Sequence, residues 1–357
     1  MTNRLPPNST IGILGGGQLG RMLSIAASRL GLKTHIFEPG KNTPAGQVAD
    51  AVTTASFDDH SALTKFAMSV DVITYEFENI PTEALDVIEA VRPVMPNRRS
   101  LAIAQDRLIE KNFLTSLGLQ CAPYVNVETT EALVNAITKI DTPSILKTRR
   151  FGYDGKGQTR LKADTSPTTA WEKLGRTPCV LEGFIDFTHE VSVIGARSQS
   201  GEVVCFDPGE NVHRGGILHT TTLPARLSRS QHMDAILATG KILNALDYVG
   251  VICLELFVTT QGLIVNEIAP RVHNSGHWTQ NGCVIDQFEQ HIRAIAGWQL
   301  GNGKRHSNVI MTNIIGLEVN DVETLSKDSS VGLHLYGKAE AKEGRKMGHA
   351  NVITGPA

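Results

Sequence analysis

The sequence predicts an α/β protein: a parallel sheet covered by helices comes first, and an α+β part rich in antiparallel strands follows. Three observations carry this. Residues 10–95 alternate short apolar strand signals with helical ones, as crossover-connected parallel strands require. Strand-like runs then dominate up to residue 226. Finally, two apolar strands, 250–259 and 263–270, flank a short polar link at Thr260-Gln261-Gly262, a hairpin signal.

In chain order, TIGILG, KTHIFEPG and VDVITYEF read as strands, with helices at 18–31, 61–69 and 81–92. Pro93 and Pro96 mark a boundary. Residues 100–118 read as one amphipathic helix closed by Gly118. Strands follow at PSILKTR, CVLEGFI, EVSVIGARS, EVVCFDPG and GILHTTTLPAR, then a helix at 230–247, the hairpin, and a helix at 286–297. The tail from about 300 is strand-like and carries a basic cluster, and its last strands are expected to be abbreviated.

At 357 residues the chain has room for two or three domains. A hydrophobic fraction of 41% supports an ample core. The net charge of −2 lacks the basic excess that nucleic acid or an anionic membrane surface rewards. Five dispersed cysteines form no CxxC pair, which excludes a spacing-defined zinc site or disulfide framework and fits a reducing compartment. No apolar run approaches the ~18 residues of a membrane span, and no secretory leader is visible, so the expectation is cytoplasmic.

Gly15, Gly17 and Gly20 have G-x-G-x-x-G spacing between a strand and a helix, and Glu38 ends the next strand. Such a loop offers backbone N–H groups and a helix N-terminus to an anion. A dinucleotide, another phosphate ligand and a purely structural turn all satisfy that pattern. A second glycine-rich segment, ILKTRRFGYDGKGQ, puts Lys147 on a strand ahead of Gly152, Gly155 and Gly157 without Walker spacing. It reads either as a loop folding over phosphates or as a flexible hairpin tip.

Glu255 and Glu267 are equidistant from Gln261, so the hairpin sets them opposite each other on one face. Two facing carboxylates repel unless a cation intervenes, and a hard divalent ion with phosphate oxygens in its shell answers that need. Beyond the second carboxylate, NEIAPRVHNSGH packs Arg271, His273, Asn274 and His277 into a loop suited to substrate. Its histidines lack HExxH or cysteine support for zinc.

Taken in order, GGGQLGRML, YEFENI, QDRLIEKNFL, FGYDGKGQ, HRGGIL, NEIAPRVHNSGHW and YGKAEAKEGRKMGH resemble the ATP-grasp superfamily and, within it, the N5-carboxyaminoimidazole ribonucleotide synthetases. The resemblance covers nearly the whole chain. It implies a Rossmann-like N-terminal domain over residues 1–100, an ATP-grasp domain over 101–297 with a glycine-rich lid near 120–190, and a small β-rich C-terminal domain over 298–357. It implies ATP as cofactor, Mg²⁺ or Mn²⁺, bicarbonate and aminoimidazole ribonucleotide as substrates, and a homodimer.

By the same resemblance, ATP contacts fall on Arg107, Lys147, the 152–158 loop (Gly152, Tyr153, Asp154, Gly155, Lys156, Gly157, Gln158), the hinge Glu182, Gly183, Phe184 and Ile185, and Glu190, His213, Asn266 and Glu267. Glu255 and Glu267 would be the metal ligands. Ribonucleotide contacts fall on Gln18, Glu76, Tyr153, Asp154, His273, Asn274, Lys338 and Arg345. Asp154, Lys156 and Arg271 would serve the chemistry. Three departures stand out: Phe151-Gly152 where two glycines are expected, Val272 where proline is expected, and Ala269 where the wider superfamily often has an asparagine. The implied reaction is bicarbonate attack on ATP to give carboxyphosphate, then carboxylation of the ribonucleotide amine. Another ATP-grasp ligase, of the formate-dependent transformylase or biotin-carboxylase type, would lack the YGKAEAKEGRKMGH tail. An NAD(P)-dependent oxidoreductase would need a hydride-acceptor site, which the second half does not show. A non-catalytic nucleotide-binding regulator would not need the carboxylate pair.

Overall fold

A computed structural model describes residues 4–152 and 155–357, so Tyr153 and Asp154 lie outside the described residues. The first sheet has four parallel strands in the spatial order Ala51–Thr53, Lys33–Phe37, Thr10–Leu14, Val72–Tyr75. Thr10–Leu14 is buried on both faces. Ile11 and Ile13 pack with Leu19, Met22 and Leu23 of helix Gln18–Arg29, while Leu14 packs with Phe66 and Ile73. Such two-sided burial explains the continuous apolar run. The edge strand Ala51–Thr53, only 3 residues long, was not legible in the sequence.

The single helix expected over 100–118 is two helices, Arg98–Ala104 and Arg107–Ser116. The break lies at Asp106, whose backbone is extended (φ −131°, ψ 113°) and whose carboxylate accepts from the N–H groups of Leu108 and Ile109. Asp106 also receives Arg149, Nη2 to Oδ2 at 2.7 Å. A capping carboxylate with its own guanidinium favours restarting the helix over continuing it. Gly118 takes the left-handed conformation (φ +71°) expected of a helix stop.

Four antiparallel strands, ordered Tyr124–Val127, Cys179–Gly183, Ser144–Thr148, Gln158–Leu161, form a second sheet. Helices Thr130–Ile140 and Pro167–Lys173, neither read from the sequence, cover it through Leu133, Ala136, Ala170 and Trp171.

The third sheet has nine strands. Eight run in the order Gly262–Ala269, Gly250–Thr259, His189–Arg197, Gly209–Arg214, Ile217–Leu223, Ser307–Ile315, Lys346–Pro356, Val331–Leu335, and Val203–Cys205 also pairs with His189–Arg197. The tail strands therefore extend the central sheet. The last strand, Lys346–Pro356, is 11 residues long. Along Gly250–Thr259 the even positions Ile252, Leu254, Leu256 and Val258 share a core with helix Arg229–Ala245, through Ala235, Ile242 and Leu243. Strand alternation turns Cys253 and Glu255 to the opposite face.

His291, on helix Gln287–Ile295, joins the first sheet to the third. Its Nδ1 accepts the Val251 N–H at 3.1 Å, which leaves Nε2 to donate to Thr74 Oγ1 at 2.8 Å. Among the described residues, no helix is long and apolar enough to cross a membrane.

Candidate active site

The hairpin achieves the expected pairing by an unexpected route. Its turn is Thr260-Gln261, with Thr259 opposite Gly262 and Leu256 opposite Val265. Continued unbroken, that register would set Glu255 against Asn266. A one-residue bulge at Asn266 shifts it, and Glu255 faces Glu267. The bulge leaves Asn266 outside the ladder, with its Oδ1 buried and without a partner among the described residues.

The two carboxylates have different neighbours. Arg107 Nη1 lies 2.6 Å from Glu267 Oε2. Burial works to raise the Glu267 pKa, but Arg107 overrides it and the group stays below its usual range. Glu255 has no such guanidinium. Burial first, then the Glu267 charge, raise its pKa. Its close contact is His273 Nε2, 3.1 Å from Oε1. Burial holds His273 neutral. Since the Ser275 N–H donates to Nδ1 at 3.3 Å, the ring proton sits on Nε2 and points at Glu255.

Helix Arg107–Ser116 supplies one wall. Arg107, Glu110 and Lys111 recur at helical spacing on one face. Glu110 Oε1 accepts the Ile268 N–H at 2.6 Å, anchoring the strand next to Glu267, and burial together with the Glu267 charge raises its pKa. Lys111 Nζ and Lys147 Nζ converge on Glu182 Oε2 at 3.3 and 3.0 Å. Burial alone would raise Glu182, but the two lysines bring it below its usual range. Its other oxygen, Oε1, is buried without a hydrogen-bond partner among the described residues. Gly183 ends that strand, and beyond it Phe184 is exposed, with the Arg160 guanidinium 4.2 Å from its ring centroid, while Ile185 is half-buried. Glu190 and His213, on neighbouring strands, meet at 2.8 Å. Burial opposes protonation of His213, and the Glu190 carboxylate prevails, raising its pKa.

The second glycine loop hangs over this wall. Gly155 (φ +76°) and Gly157 (φ +70°) are left-handed, and a Cβ on Gly157 would lie 2.6 Å from Thr148 Oγ1. Phe151, one of the departures noted above, is also left-handed at φ +63°. Glycine bears that conformation without steric cost and phenylalanine does not. Gly152 lines the cleft with Arg107, Glu110, Arg149 and Glu267. Lys156 and Gln158 are exposed, with Gln158 opposite Lys147 in the ladder.

Other expected contacts are engaged elsewhere. Arg271 makes a two-point ion pair with Glu78 (Nη2 to Oε1 3.1 Å), and Glu78 in turn lines the cleft. Asn274 exchanges hydrogen bonds with Asn313 at 2.9 and 2.8 Å. Glu76 accepts the N–H groups of Gly17 and Gly20, and Glu38 accepts that of Gly16 at 2.8 Å. The anion that the first glycine loop calls for is thus supplied by the chain's own carboxylates. Gln18 opens the helix beyond them and is half-buried. Lys338 and Arg345 sit across a loop closed by Tyr336 N–H to Met347 O at 3.0 Å. Lys338 Nζ donates to Lys346 O at 2.7 Å, and Gln47 Nε2 ties Gly337 O to the first domain at 2.7 Å.

Reading the sequence missed Glu78, Glu110 and Lys111. The 107, 110, 111 spacing was a usable signal, whereas the Glu78–Arg271 pair bridges 193 positions and had none.

The chain matches three family models: a ribonucleotide synthetase preATP-grasp domain over 8–105, an ATP-grasp domain over 112–288, and a phosphoribosylaminoimidazole carboxylase C-terminal domain over 309–356. It is 51% identical over 352 residues to the N5-carboxyaminoimidazole ribonucleotide synthase of Brucella melitensis, covering 98% of this chain and 97% of that one. A crystal structure of an N5-carboxyaminoimidazole ribonucleotide synthetase as its ADP complex superposes with a TM-score of 0.96 at 42% identity, over 99% of this chain and 94% of that one. The Aspergillus clavatus synthase in complex with ADP and 5-aminoimidazole ribonucleotide superposes with a TM-score of 0.91 at 30% identity, over 99% and 95% of the two chains. This chain belongs to the N5-carboxyaminoimidazole ribonucleotide synthase family of ATP-grasp ligases.

Proposed function

We propose that the protein carboxylates the exocyclic amine of 5-aminoimidazole ribonucleotide, using ATP and bicarbonate and releasing ADP and phosphate. The observation that carries this reading is the facing Glu255–Glu267 pair, set beside Arg107, Lys147 and the second glycine loop. A magnesium ion fits the donor set: two facing carboxylates and the unpartnered Asn266 Oδ1 beside them are hard oxygen ligands. Glu255 and Glu267 would hold the ion, which when bound offsets phosphate charge.

The remaining roles are those the family resemblance implies. Lys147 and Arg107 neutralise the phosphates, Arg107 by turning from Glu267 to the nucleotide. Glu190 and His213 bind at the ribose end, and Glu182 to Ile185 read the base. A bicarbonate oxygen attacks the γ-phosphorus as the bond to ADP breaks, giving carboxyphosphate. Arg271, held by Glu78, stabilises that anion. The glycine loop closes and excludes water, which would otherwise hydrolyse it. Carboxyphosphate passes its carboxyl to the ribonucleotide amine, releasing phosphate. Asp154 positions the amine or accepts its proton, Lys156 steadies the charge, and Lys338 and Arg345 grip the ribose phosphate. Tyr153, Gln18 and His273 complete the ribonucleotide side, while Glu76, which holds the Gly17 and Gly20 N–H groups, and Asn274, which pairs with Asn313, serve it by positioning. We place the domains at 1–100, 101–297 and 298–357, and the active form as a cytoplasmic homodimer.

Purified protein should release phosphate from ATP only when bicarbonate and aminoimidazole ribonucleotide are both present, and should form the carbamate. ATP turnover indifferent to the ribonucleotide would overturn the substrate assignment.

A further inference from the structure

The cysteine spacing excluded a zinc site, but the strand register brings together what the spacing kept apart. Cys253 and Glu255 lie two apart on one strand, on the face turned from helix Arg229–Ala245. The loop after Gly262–Ala269 returns His273 to them. One ligand atom each from Cys253, Glu255 and His273 lies within 4.8 Å of the other two. Ala269 stands directly opposite Cys253 in the ladder. Its methyl group leaves the thiol without a competing polar side chain from the facing position.

We propose that Cys253, Glu255 and His273 form a second divalent-metal site, for a zinc-type ion, whose occupation blocks the reaction. Thiolate, imidazole and carboxylate are the borderline-soft donors of zinc, unlike the all-oxygen set that suits magnesium. Three protein ligands leave the fourth position for water. The surroundings support the ligands as metal sites require. Ser275 Oγ lies 2.8 Å from His273 Nδ1 and 3.8 Å from Cys253 Sγ, so one hydroxyl steadies both. It is held in turn by Ser192 at 2.7 Å, which Asn211 holds at 2.9 Å. On binding, the imidazole proton moves from Nε2 to Nδ1 and is donated to Ser275 Oγ, which gives up the bond from the Ser275 N–H to Nδ1, and the Cys253 thiol proton leaves to solvent. The ion enters past Glu255 and His273, whose side chains are 15% and 16% exposed. Cys253 is the buried floor. Because Glu255 serves both sites, zinc and magnesium exclude each other; this inhibition rests on the proposed magnesium assignment, whereas the zinc site itself does not.

Equilibrium dialysis of the nucleotide-free protein with zinc, and absorption spectra with cobalt, provide the test. The wild type should bind one zinc per chain at least tenfold more tightly than Cys253→Ala, and its cobalt form should show a thiolate charge-transfer band that the variant lacks. Cys253→Ser, closer in size, should lose the band too, and Cys121→Ala should keep it. Equal zinc affinity in wild type and Cys253→Ala, or a cobalt form without the band, overturns the site. In turnover, zinc inhibition should be relieved by magnesium and need at least tenfold more zinc in Cys253→Ala. Zinc that binds with the thiolate band yet does not compete with magnesium upholds the site and overturns the assignment of Glu255 to magnesium.

Discussion

The first glycine loop and the ATP cleft pose the same electrostatic problem in opposite senses. The loop of Gly15 to Gly20 gathers amide donors that need an anion, and Glu76 and Glu38 fill them from within the chain. The cleft gathers carboxylates that need a cation. Arg107 covers Glu267, while Glu255 faces a neutral histidine and Asn266 Oδ1 has no partner among the described residues. A region that satisfies its own polar groups reads as structure. A region that leaves buried groups partly satisfied reads as a ligand site. The difference teaches that glycine spacing alone does not separate the two.

The sharpest way to break this contrast is Glu267→Gln. Turnover should fall at least about 100-fold, because a positioned charge acting on the transition state is lost. Unchanged circular dichroism and melting would show an intact fold, and near-wild-type turnover at saturating magnesium would sink the assignment. Next comes Gly17→Ala. Its Cβ would lie 2.6 Å from Glu76 Oε1, so overpacking should cost about 1–3 kcal/mol in urea unfolding. ADP affinity should stay within about twofold, since the loop is tied to carboxylates; a large loss of ADP binding would erase the distinction between the regions.

A third test concerns the seam between them. Burial lowers the His291 pKa to about 3, against 6.5 as its ordinary value. A group depressed on folding leaves the unfolded chain binding the extra proton, so stability is full above about 6.5 and falls as pH drops toward 3. The slope is about 1.4 kcal/mol per pH unit for one proton. His277 and His349, also buried and depressed, add to it. His291→Gln should flatten the slope of unfolding free energy between pH 6 and 4 by about one proton; an unchanged slope would show that His291 is not buried neutral.

Much of this molecule was legible in one dimension. The apolar run in 250–259, the short polar turn and the alternation of strand and helix signals over 10–95 are local properties, so the hairpin and the parallel sheet could be read directly. The carboxylate pair was legible too, although its register depends on a bulge that no local pattern announced. Helix Thr130–Ile140 has a good cap at Thr129 and an acidic first turn, and was readable but missed. The break at Asp106 was not readable, because the guanidinium of Arg149 that favours it lies 43 positions away.

By itself, then, the sequence determined the element types, the ordered motifs and the hairpin that carries Glu255 and Glu267, since these follow from periodicity and short-range spacing, whereas the bulge at Asn266 set the two carboxylates face to face. Only the tertiary structure decided which charges meet. Glu76 went to the glycine loop, Glu78 to Arg271, and Lys111 with Lys147 to Glu182. Cys253 likewise came to lie beside His273. A buried charge takes whatever partner the packing brings within about 4 Å, and that partner's place along the chain leaves no mark in composition or period.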